Sequence, residues 1–146
     1  MKPRSCWSVL VKKAKGDEEL AQQAQVESRK RVEHLQASRQ RMDDLLNDYK
    51  RRALENQSKL HSMADATNNR QFMLHLQELV NRVDKDLVAA LAAYDRAKMA
   101  LLQATHQRMK METMQDKDLE VVQQWQRKRE QKEMDTLGLT LYNLKA

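Results

Sequence analysis

Glycine occurs only twice and proline once in the 146 residues, where ordinary usage would place roughly ten and seven. A sandwich, a barrel or a series of βαβ units needs turn residues about every ten positions, so those folds are excluded. Aromatic residues make up 4%, with a single phenylalanine, too few for a broad globular core. One cysteine, Cys6, allows neither an internal disulfide nor a cysteine-based zinc site, which suits a reducing cytoplasm. No apolar run approaches the ~20 residues of a membrane span. The run Cys6–Val11, closed by Lys12 and Lys13, is short for a secretory leader. What the chain has instead is Ala, Leu, Met and Val set among Gln, Glu, Lys and Arg, with 33% of residues charged. That is the composition of long helices in a coiled coil.

Periodicity agrees. Steps of three and four from Val11 give Ala14, Glu18, Ala21, Gln25, Ser28, Val32, Leu35, Arg39, Met42, Leu46, Tyr49, Ala53, Asn56, Leu60 and Met63. All but Glu18, Gln25, Ser28, Arg39 and Asn56 are apolar, which makes a seam, though one that needs a partner helix. Asp65-Ala66-Thr67-Asn68-Asn69 interrupts the pattern with residues that favour turns and caps. A second seam then reads Phe72, Leu76, Leu79, Val83, Leu87, Ala90, Tyr94, Ala97, Leu101 and Ala104, with a stutter at Leu79–Val83–Leu87. It weakens through Arg108, Met111 and Gln115, resumes at Leu119, Val122 and Trp125, and gives way to a last stripe of Met134, Leu137, Leu141 and Leu144.

The fold expected is all-α: one domain over 1–146, a long two-helix antiparallel coiled-coil hairpin, because short connections make antiparallel neighbours. Helix 1 should span about 8–64, the turn about 65–70 and helix 2 about 71–137. At 1.5 Å per residue, helix 2 should outrun helix 1 by roughly 20–25 Å. Gly16-Asp17 and Gly138 are candidate breaks or kinks.

Charge is uneven. Residues 1–15 carry Lys2, Arg4, Lys12, Lys13 and Lys15 without an acid, a net +5, and Arg127–Lys132 add +3, so the rest sums to −2 of the total +6. An antiparallel pair brings both basic segments to one end, which would attract an acidic surface.

No phosphate loop, nucleophile elbow or HExxH pattern is present, and His34, His61, His75 and His106 are too far apart to share a metal through helical spacing. The chain therefore reads as a non-enzyme without cofactor or metal. A nucleic-acid zipper would need a basic run flowing into a parallel leucine seam, and no aromatic platform accompanies these bases. Phe72, Leu76, Leu79 and Val83 share a face just after the turn, where they either close the end of the hairpin or form a docking patch.

The layout resembles the flagellar export protein FliJ family and its counterparts in virulence type III secretion. The similarity rests on Leu45-Leu46-Asn47-Asp48-Tyr49, on Phe72-Met73-Leu74-His75-Leu76 opening the second helix, and on Lys128-Arg129-Glu130-Gln131-Lys132-Glu133-Met134-Asp135 before the leucine stripe. The resemblance implies a cytoplasmic stalk, peripheral to the inner face of the membrane. Its terminal pole would enter the pore of a hexameric export ATPase, and its opposite region would meet a membrane export-gate subunit. Export chaperones would bind as well. By position, the gate contact would be Phe72, Leu76, Leu79 and Val83, and the ring contact Lys12, Lys13, Arg127, Arg129, Gln131 and Lys132. The protein should be a monomer on its own; the rival readings are a virulence type III secretion stalk and a structural homo-oligomeric coiled coil without an ATPase partner.

Overall fold

The computed structural model describes residues 2–56 and 63–145. Two long helices, α1 (Ser5–Asn56) and α2 (Met63–Lys145), pack against each other, and no strand occurs among the described residues. They form two compact units: Met1–Ala21 with Leu101–Ala146, and Gln22–Ala100.

In the second unit the core is Val32 and Leu35 of α1 against Ala90 of α2, with Leu87 and Tyr94 partly buried beside them. Leu46, Leu76 and Val80 are buried too. Arg39 of α1 bonds Asp84 of α2, while Tyr49, further along α1, meets Phe72, earlier in α2. Rising numbers on one helix meet falling numbers on the other, so the pairing is antiparallel. The seam differs from expectation at Phe72, which is 42% exposed, and at Leu79. Val80 is buried and Leu79 is 43% exposed. With Val80 in the stripe, Leu76, Val80, Val83, Leu87, Ala90, Tyr94 and Ala97 advance by alternating fours and threes, all buried or half-buried. The stutter expected at Leu79–Val83–Leu87 is therefore absent, and the heptad runs on regularly.

In the first unit Val11 and Ala14 of α1 and Val122 of α2 are buried. Arg4, Lys15 and Glu18 of α1 meet Asp118, Glu112 and Arg108 of α2 in turn, again antiparallel. Among the described residues no side chain in the chain is completely buried, because two helices without a third layer cover only one stripe each.

Helix boundaries are wider than the sequence suggests. Asp65–Arg70, expected as the turn, are helical, and α1 starts at Ser5 rather than about 8. Asn propensities are worth only tenths of a kcal/mol per residue, and the Phe72–Tyr49 contact and half-buried Asn69 draw this segment onto α1. Thr67 Oγ1 donates to the Met63 carbonyl, a bond internal to the helix rather than a cap. The seam position Leu60 lies outside the described residues. Neither Gly16 nor Gly138 breaks its helix, since one glycine costs about 1 kcal/mol against alanine. Residues 123–145 of α2 are exposed throughout. Arg4, just before α1, stands beside Asp118, and α2 runs on to Lys145, so α2 outruns α1 by about 40 Å.

Candidate interaction surfaces

At the start of α1 the first turn holds no acidic side chain to complement the exposed N–H groups. Asp118 of α2 supplies it: its Oδ2 accepts the Arg4 backbone N–H at 2.9 Å, and its Oδ1 lies 3.8 Å from the Arg4 Nε. Deeper in the unit, Arg108 donates to Glu18 Oε2 at 2.6 Å and to Glu112 Oε2 at 2.9 Å. The Arg108 hydrogen bond holds the Glu18 carboxyl below its ordinary value, and both carboxylates raise Arg108 in return. Glu18 and Arg108 both interrupt the apolar stripes in the sequence. The antiparallel register sets these two polar interruptions opposite each other, and in the other unit the seam residue Arg39 meets Asp84, which flanks the stripe beside Val83. Opposite signs at polar seam positions were the available signal.

Beyond the start of α1, no other helix among the described residues covers α2. Trp125, Lys128, Arg129, Lys132, Thr136 and Thr140 line a groove of about 700 Å³ along this helix. The Arg129 guanidinium lies 5.5 Å from the Trp125 ring centroid and donates to Glu133 at 3.3 Å. Arg129 and Lys132 thus line the groove, while Arg127 and Gln131 are exposed outside its lining. Lys12 and Lys13 are exposed on α1. Their neighbour Lys15 pairs with Glu112, which leaves them about 20 Å short of Arg127. Both basic segments are in this unit, but they form two patches. The stripe Met134, Leu137, Leu141 and Leu144 is 57–78% exposed.

In the other unit the face after the expected turn is divided. Leu76 is 5% exposed and belongs to the helix–helix seam, and Val83 is half-buried. Phe72 and Leu79 are 42% and 43% exposed. The Phe72 ring packs on Tyr49 at 4.5 Å between centroids with a 34° tilt, and the Arg52 guanidinium lies 5.9 Å from the Tyr49 centroid. Tyr49, a seam residue in the sequence, is what holds Phe72 in place.

The sequence profile of the family described as Flagellar FliJ protein matches residues 7–146, nearly the whole chain. The chain belongs to that family. No curated protein and no solved structure matches it. Membership in the FliJ family carries a flagellar type III export role of the stalk or chaperone kind, in flagellar biogenesis and protein export, and the family is a non-enzymatic one. The FliJ coiled-coil character is what the two packed helices display. Among the described residues no helix is long and apolar enough to cross a membrane.

Proposed function

We propose that the chain is the stalk of the flagellar export apparatus, seated by its terminal pole in a hexameric export ATPase and touching the membrane export gate through the region of Phe72. The observation that carries this reading is the length of α2 beyond the start of α1. Residues 123–145 have no helix against them, and they present Arg127, Arg129, Gln131 and Lys132 with a leucine stripe behind. A basic, unpaired helix end suits insertion into an acidic pore, and a body seated asymmetrically in a ring biases subunit states through unequal contacts. Lys12 and Lys13 would meet the ring's mouth. Phe72, Leu79 and Val83 would touch the gate, with Leu76 supporting them from within the seam. The protein would work in the cytoplasm at the inner face of the membrane, and would escort export chaperones.

Charge reversal at Arg127, Arg129 and Lys132 should abolish stimulation of the purified export ATPase while leaving helicity unchanged. An undiminished ATPase response would sink the ring-contact reading. Phe72→Ala with Leu79→Ala should reduce gate binding in a pull-down; full motility would count against that contact. The exposed Met134–Leu144 stripe favours one other reading, a homo-oligomeric coiled coil without an ATPase partner. Light scattering separates them: a monomer supports the stalk, a stable tetramer the rival.

A further inference from the structure

Within the unit of residues 22–100, a second groove opens between the helices. Leu46 and Lys50 of α1 and Arg70, Met73, Leu74 and Gln77 of α2 line it, enclosing about 330 Å³. The four α2 residues stand at i, i+3, i+4 and i+7, the spacing of a hole that receives one side chain from a facing helix. Among the described residues no side chain of α1 fills it. Leu46, 5% exposed, forms the floor, Met73 is half-buried, and Leu74 stands on the wall 66% exposed. Around α2 this hole is roughly 135° from the face that holds Phe72, Leu76, Leu79 and Val83, so it is a separate surface.

Its rim is charged in one sense. Lys50 comes from one helix and Arg70 from the other, and neither has an acidic partner among the described residues. The sequence of residues 57–62 contains no acid either. Neighbouring cations are differently placed: Arg51 lies 3.6 Å from Asp48, and Arg52 stands over Tyr49. An apolar floor between two unneutralised cations calls for an apolar group flanked by carboxylates.

We propose that this groove seats a third helix, an acidic amphipathic helix of a partner protein. One large apolar side chain of that helix enters the space among Leu46, Met73 and Leu74, and carboxylates a turn away on either side meet Lys50 and Arg70. The groove is open along the helices rather than closed over, which suits a side chain presented by a surface more than a free small molecule. A lipid surface needs a wide continuous apolar face, whereas here Lys50, Arg70 and Gln77 interrupt it on both sides. A second copy of this chain, at a net charge of +6, brings the wrong overall sign.

The test uses the full chain and three labelled synthetic helical peptides of identical leucine pattern, with Glu, Gln or Lys at the flanking positions, followed by fluorescence anisotropy. The Glu peptide should bind the wild type and the Gln and Lys peptides should bind more weakly. Lys50→Glu with Arg70→Glu, and separately Leu74→Asp, should each weaken the Glu peptide by about tenfold. All three side chains are exposed, so circular dichroism should show the helices intact. The control Arg127→Glu with Lys132→Glu should leave this affinity unchanged. Equal binding by all variants overturns the proposal, and loss only in the control overturns it by placing the peptide on the other basic surface. Preference for phosphatidylglycerol vesicles over the peptide, abolished by the same Lys50 and Arg70 reversals, overturns it in favour of a membrane. A charge-reversed ring contact that fails its ATPase test leaves this inference untouched, because the two surfaces share no residue.

Discussion

Arg108 reaches across from α2 to Glu18 while holding Glu112 one turn along its own helix. Its guanidinium fork matches both carboxylates, a geometry lysine does not offer. Because Glu18 is depressed by this bond, its stabilisation is complete at neutral pH and above the ordinary glutamate value of 4.5, and is lost as pH falls through the lower, folded-state value. Thermal melts of Arg108→Gln should therefore show a lower midpoint at pH 7 and a shallower decline below pH 4.5 than the wild type. Equal acid slopes would show that the pair contributes nothing to the pH dependence. Asp118 is a second residue with a defined duty, since it accepts the Arg4 N–H that α1's own first turn leaves without an acid. Asp118→Ala should destabilise by about 1 kcal/mol, as loss of a helix cap does, measured by urea titration.

At the scale of the helices, α1 was legible and α2 only partly so. Every described seam position of α1 from Val11 to Ala53 is buried or half-buried, including the polar Glu18, Gln25, Ser28 and Arg39. On α2 the sequence offers Leu79 and Val80 side by side, both apolar, and hydrophobicity alone does not choose between them. Burial does. Val80→Asp should unfold or strongly destabilise the protein, since it removes about 1.5–3 kcal/mol of burial and adds a charge to the seam. Leu79→Asp should cost little, and parallel melts of the two variants check this. The glycines carry the converse lesson. A Cβ at Gly16 or Gly138 would meet nothing within 4 Å, and both sit in continuous helix. Gly16→Ala and Gly138→Ala should each stabilise by about 0.5–1 kcal/mol, read as a raised melting midpoint.

For the whole molecule, the excess positive charge belongs to the two terminal segments, and both fall in one compact unit. That part of the candidate site followed from antiparallel pairing. What did not follow was its subdivision: Lys12 and Lys13 lie on the paired length, whereas Arg127 to Lys132 lie on helix that has no partner. The groove between Lys50 and Arg70 was equally hidden, because its walls come from two helices and its emptiness depends on their register. A truncation after Gln124 removes no buried residue among those described and should leave the thermal midpoint of the remaining helices nearly unchanged, as followed by circular dichroism. The same truncation should abolish ATPase stimulation. A large fall in the midpoint would show that the tail folds back onto the pair.

By itself the sequence determined that this chain pairs two long helices. Scarce glycine and proline, a sustained heptad and few aromatics leave no other way to bury its leucines and valines. It also determined where the charge lies along the chain. Only the tertiary structure decided which residues meet. A heptad stripe matches a facing stripe at several offsets of comparable hydrophobic gain, so cross-helix pairs such as Arg108 with Glu18 and Tyr49 with Phe72 select one register. That register in turn decides which side chains are covered, which cations stay unpaired, and how much of α2 is left bare.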